Sequence, residues 1–106
     1  MSDFSLESEF QSAVCELARK LGCLVFHPQN VKRSVPGFPD LTICGRPAPD
    51  GAAPNVLFRE LKMPKGVVSG EQQKWLDKLT AANADAAVWR PEDWPERITA
   101  ELRAIA

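Results

Sequence analysis

Asp40, beside Pro39, and the pair Glu60 and Lys62, one residue apart, are residue types that together hydrolyse phosphate esters. Mg²⁺ or Mn²⁺ takes hard oxygen ligands. It commonly uses only one or two protein carboxylates and leaves places for water and a substrate phosphate. Asp40 and Glu60 suit that ligation, and the Leu61 carbonyl lies between Glu60 and Lys62. Such a metal lowers the pKa of a bound water and offsets charge on the phosphate. A lysine one step along the same face can orient the attacking water and stabilise the developing negative charge. Each residue also has an ordinary reading. An aspartate at a strand start commonly closes a turn, and Glu-x-Lys on a strand commonly lies on a solvated face.

The elements that would position these groups are predicted from hydrophobic periodicity. Phe10, Val14, Leu17 and Leu21 recur at helical spacing, with Ala13 and Ala18 beside them. They predict a helix from about Leu6 to Leu21, capped by Ser5 and closed by Gly22. Glu7 sits at the end of this inward stripe and can reach the same place as Asp40 and Glu60. Glu9 and Glu16 point more toward water, although Glu9 competes for the role of helix acid. Strands are predicted at 23–27, 40–44 and 56–62, and a proline- and glycine-punctuated loop spans 28–39. The Gly45–Asn55 segment reads as an exposed hairpin connection. In the 56–62 strand, alternation puts Val56, Phe58, Glu60 and Lys62 on one face and Leu57, Arg59 and Leu61 on the other. Charge thus extends an apolar stripe, and a buried charge needs a partner or a metal. A helix over Gly70–Asn83 follows, with Ser69 and Gln72 as a capping box. A strand at 85–90 and a helix from about Asp93, with Asp93 and Glu96 as a second capping box, complete the chain. The order α-β-β-β-α-β-α predicts an α/β fold, a central mixed β-sheet flanked by helices.

The ordered set of motifs resembles the VRR-NUC (virus-type replication-repair nuclease) family of the PD-(D/E)xK superfamily, particularly its small stand-alone phage and bacterial members. The matching pieces are Glu7 with Phe10-Gln11, Phe26-His27-Pro28-Gln29-Asn30, Gly37-Phe38-Pro39-Asp40-Leu41, Phe58-Arg59-Glu60-Leu61-Lys62, Ser69-Gly70-Glu71-Gln72 with Trp75-Leu76, and Val88-Trp89-Arg90-Pro91. The resemblance implies a restriction-endonuclease-like core and divalent-metal-dependent DNA cleavage, with a preference for branched DNA like that of junction resolvases. It implies Asp40 and Glu60 as metal ligands, Lys62 as the catalytic lysine, and Glu7 as the acid completing the site. Gln72 matches the family's helix glutamine. It also implies a homodimer, which would present two sites to two strands.

His27, Asn30, Lys32, Arg33 and Ser34 precede the Gly-Phe-Pro-Asp turn, and Lys65 follows the 56–62 strand. They are candidate phosphate contacts, with an ordinary polar loop as the alternative. Lys74 and Lys78 form a basic helix face that also reads as plain solvated surface. Trp75, Trp89, Trp94 and Phe38 read as core or interface residues.

Composition narrows the remaining classes. With 106 residues the chain makes about one domain, taken here as 1–106. Apolar residues are 44% and charged residues 25%, ordinary for a folded protein. No apolar run can span a membrane and no secretory leader is visible, so the expected location is the cytoplasm of a bacterial or phage-infected cell. A net charge of −1 argues against a strongly basic nucleic-acid binder, though site carboxylates cancel lysines in the sum without cancelling them in space. Three widely spaced cysteines make no disulfide framework and read as buried thiols. A lone His27 cannot build a multi-histidine zinc site. Two rivals remain. One is a noncatalytic DNA-structure-binding or partner-binding module that keeps the fold. The other is an unrelated enzyme using His27 or a cysteine.

Overall fold

A computed structural model describes residues 4–28 and 35–106. Helix α1 (Glu7–Lys20) leads into strands β1 (Leu24–Phe26), β2 (Leu41–Cys44) and β3 (Val56–Leu61). Helix α2 (Gly70–Ala81), strand β4 (Asp85–Trp89), a 3₁₀ turn (Pro91–Asp93) and helix α3 (Glu96–Ile105) follow. The strands form one sheet in the order β1-β2-β3-β4. The first two pairings are antiparallel and β3 with β4 is parallel, so the sheet is mixed as the sequence predicts. Parallel neighbours cannot be joined by a tight turn, and α2 supplies the crossover.

The β3 alternation has the predicted sides. Leu57 and Leu61 join Leu41 and Ile43 from β2, Phe10 and Val14 from α1, and Ile98, Leu102 and Ile105 from α3 in one core. Helix α2 covers the other face, where Phe38 packs edge-on against both Phe58 and Trp75. Trp89 is fully buried, while Trp94 packs at the core's edge against Phe4.

Several local expectations are corrected. Leu6, not Ser5, is the N-cap of α1, and its side chain makes no cap bond. Instead the Glu9 carboxylate accepts from the Leu6 and Ser5 N–H groups (2.9 and 3.1 Å), satisfying donors that helix geometry leaves free. Asp93 and Glu96 do not cap α3. Asp93 Oδ2 accepts from the Arg90 N–H (2.8 Å), closing the 3₁₀ turn, and α3 begins only after Pro95. Cys15 and Cys23 are buried, but Cys44 is exposed because it ends β2 on the side away from the α1–α3 core; all three are free. The Ser69–Gln72 capping box forms in both directions, with bonds of 3.2 and 2.9 Å.

Gly37 seats α2 against the turn that delivers Asp40. Its φ is +87°, and an added Cβ would lie 2.5 Å from the Glu71 carbonyl and 2.8 Å from the Gln72 nitrogen. Only a residue without a side chain permits that approach.

Candidate active site

The sheet register gathers the candidate groups at one end. Leu41 pairs with Arg59, and Leu61 pairs with Trp89. One further step sets Asp40 opposite Glu60 and Lys62 beside Arg90. The same step on β1, where Phe26 pairs with Thr42, brings His27 to this end of the sheet.

Asp40 does more than stand near Glu60. The β2 ladder starts only at Leu41, so the Leu61 N–H has no strand partner on that side. Asp40 Oδ2 accepts from it at 2.8 Å. N–H and C=O of one strand residue share a side, so the Leu61 carbonyl opens toward Asp40 as well.

Glu60 is not on a solvated face: it is 2% exposed. Its Oε2 accepts from Gln72 Nε2 at 3.0 Å and lies 3.8 Å from Lys62 Nζ. Its Oε1 is buried with no hydrogen-bond partner. Burial, then the charge and hydrogen-bonding reach of Asp40, push the Glu60 pKa up to about 8; Lys62 opposes this and Glu7 adds to it. Such under-partnered burial disfavours the carboxylate until a proton or a cation arrives.

Gln72 is held by its own helix cap. Its Oε1 accepts from the Ser69 N–H, which leaves Nε2 as the donor to Glu60. The amide orientation is therefore set by the hydrogen bonds themselves.

Glu7 opens onto solvent, yet packing around its carboxyl and then the Asp40 charge raise its pKa, against the pull of Lys62. It is thus near enough to feel the charges of Asp40 and Lys62, whereas the Glu9 carboxylate is occupied by the helix cap. Lys65 is exposed in the turn after β3. Asn30, Lys32, Arg33 and Ser34 lie outside the described residues, as does the Gln29-Asn30 part of the second motif. Lys74 and Lys78 line a groove of about 970 Å³ along α2 with Trp75, Glu71 and Asp77. None of the three site carboxylates lines that groove.

Among the described residues no group of three His, Cys, Asp or Glu side chains forms a ready-made metal cage. The orphaned Glu60 oxygen, the adjacent Asp40 and the open Leu61 carbonyl are nevertheless an all-oxygen donor set. That set fits Mg²⁺ or Mn²⁺, which do not need a protein cage.

Two further charged residues at the sheet were not singled out by sequence reading. Arg59, 2% exposed, donates to the Phe58 and Asp85 carbonyls, Asp85 Oδ1 and Glu101 Oε1, and lies over the Trp89 ring. Arg90 binds the turn after Lys62. The inward phase of Arg59 between Leu57 and Leu61 was a visible signal for the first; nothing local signalled the second.

With the geometry in place, the fold is that of a nuclease-type domain. Residues 2–92 match the profile of the VRR-NUC domain, and the chain belongs to that family. A solved structure described as a VRR_NUC domain is 25% identical, with TM-score 0.59 over 77% of this chain and 81% of that one. Another, described as a VRR_NUC domain protein, is 18% identical, with TM-score 0.64 over 93% and 86%, and shares the fold. No curated protein sequence matches the chain. No helix among the described residues is long and apolar enough to cross a membrane.

Proposed function

We propose that this protein is a divalent-metal-dependent DNA endonuclease selective for branched DNA. The observation that carries the reading is the Glu60 carboxylate, buried beside Asp40 with one oxygen unpartnered and followed on the same face by Lys62. Buried carboxylate oxygens are ordinarily hydrogen-bonded, and the unpartnered Oε1 is where a cation would bind.

Asp40, Glu60 and the Leu61 carbonyl would hold Mg²⁺ or Mn²⁺, with Glu7 completing the acidic rim. The bound metal would supply a Lewis acid for the scissile phosphate and a water of lowered pKa. Gln72 keeps the Glu60 carboxylate turned into the site. Lys62 Nζ, close to Glu60, orients the attacking water and stabilises the charge that develops on the phosphate oxygens. Water attacks phosphorus directly, the ester oxygen leaves, and no covalent enzyme intermediate forms. His27 and Lys65 flank the site as phosphate contacts; Asn30, Lys32, Arg33 and Ser34, outside the described residues, are assigned the same role on sequence grounds. A homodimer would set two sites against two strands of a junction. Such an enzyme would act where DNA is accessible, in the cytoplasm of a bacterial or phage-infected cell.

The test is cleavage of labelled single-stranded, duplex, flap and four-way-junction DNA with Mg²⁺, Mn²⁺ or EDTA. Wild type should cut the junction best, only with metal, and Lys62→Ala should lose about 10²–10³-fold in rate. If both proteins bind DNA equally and neither cuts, the noncatalytic module replaces this reading. Cutting that survives EDTA points instead to His27 or cysteine chemistry.

A further inference from the structure

We infer that Arg90 is a positioning residue for Lys62, acting through the turn that connects β3 to α2. The inference rests on the nuclease reading for the role of Lys62. The geometry stands apart from it.

Lys62 is the last residue tied to the sheet: its N–H donates to the Trp89 carbonyl at 3.1 Å. The chain then reverses through Met63, Pro64, Lys65 and Gly66, and the Gly66 N–H donates to the Met63 carbonyl at 2.8 Å. A four-residue turn with one internal bond has little stability of its own, because each ordered residue loses conformational entropy. Arg90 supplies what the turn lacks. One terminal guanidinium nitrogen, Nη1, donates to both the Met63 and the Gly66 carbonyls, each at 2.8 Å. The Met63 oxygen thereby accepts twice, using both lone pairs. Among the described residues no carboxylate pairs with Arg90. Its side chain is committed to the turn rather than to an ion pair.

The turn forms one wall for the Lys62 stem. A Cβ built on Gly66 would stand 3.4 Å from Lys62 Cδ and 3.2 Å from the Met63 oxygen. The Lys62 stem therefore runs close beside the turn, with room for little more than a methyl group between them. Lys62 has four rotatable side-chain bonds, and its ammonium is only 3.8 Å from Glu60 Oε2, a distance too long to fix it. Packing against a clamped turn limits where Nζ can go. A misplaced catalytic group costs rate even when the group itself is intact.

The test compares Arg90→Met and Arg90→Lys in the wild-type and Lys62→Ala backgrounds. Arg90→Met should lower kcat by about tenfold while KM for junction DNA stays within about twofold. Arg90→Lys, whose ammonium can still donate to both carbonyls, should recover most of the rate. In the Lys62→Ala background Arg90→Met should cost nothing further, because its effect passes through the missing lysine. Amide exchange at Gly66 should accelerate in Arg90→Met with global unfolding unchanged. An equal loss in both backgrounds overturns the proposal, as does a change confined to KM and its salt dependence, which would make Arg90 a phosphate contact. If Arg90→Met does not fold, Gly66→Ala perturbs the same wall from the other side and should also lower kcat; an unaffected rate there overturns the proposal. A wild type that cuts no substrate removes the nuclease reading and any cleavage role for Arg90. The exchange measurement would still decide whether the clamp exists.

Discussion

Arg59 and Glu60 are adjacent on β3 and equally buried, yet their surroundings differ completely. Arg59 points into the α1–α3 core and finds four acceptors, two of them carboxylate oxygens, with only its Nε unpaired. Glu60 points to the α2 side and finds another carboxylate, one amide and a lysine at the outer edge of ion-pair distance. The first arrangement resembles the way folds accommodate a buried charge. The second keeps a carboxylate in a place where its charge is poorly supported. Enzymes accept such a cost where the group must take a metal or a proton during turnover. On the proposed reading, neighbours on one strand divide into a residue that serves the fold and a residue that serves the site.

This contrast predicts substitutions of opposite sign. Arg59→Ala should cost the most, about 3 kcal/mol, because it leaves a cavity under Trp89 and strips partners from Glu101 and Asp85. The midpoint of urea unfolding measures it; a loss below about 1 kcal/mol would mean that the cluster is not structural. Glu60→Gln should instead stabilise the metal-free protein at pH 8, by about 1–2 kcal/mol, while abolishing metal-dependent cutting. A destabilised Glu60→Gln variant would show that the carboxylate is satisfied after all.

The same two clusters predict the pH profile of stability without metal. The Glu60 pKa is about 8 in the folded chain against an ordinary value of 4.5, so between those values the native state holds more protons than the unfolded one. Stability should therefore fall as pH rises from 4.5 to about 8 and level off beyond. For Glu101, burial alone would raise the pKa, but hydrogen bonds from Arg59, Arg97 and Trp89 together lower it. Its contribution is present above 4.5 and is lost as pH falls through the lowered value. Thermal unfolding in EDTA should thus be highest in weak acid, and Glu60→Gln should flatten the alkaline limb alone. At the small end, Lys20→Ala removes only the exposed pair with Glu16 and should change stability by less than about 0.5 kcal/mol.

The elements were legible because periodicity is local. The stripe of α1, the alternation of β3 and the Ser69–Gln72 box each lie within a dozen residues. The ends were less legible where a side chain chose an unexpected partner. Ser5 looked like a cap, but the helix is capped one residue later and Glu9 reaches back to the Ser5 and Leu6 N–H groups. Asp93 looked like the start of α3, but the backbone of Arg90 claimed it. Asp40, Glu60 and Lys62 were legible as residue types with a spacing, and alternation correctly set Glu60 and Lys62 on one face.

By itself the sequence determined the order of elements, the mixed character of the sheet, the two faces of β3 and the family. Those follow from neighbours along the chain, whose relative positions helix and strand geometry dictate. Only the tertiary structure decided that one Glu60 oxygen lacks a partner while Arg59 has several, that Gln72 is turned toward Glu60 by its own cap, and that Arg90 holds the turn beside Lys62. Each is a contact between residues distant in sequence. Burial and hydrogen-bond satisfaction depend on what else fills the same space, which no local pattern records.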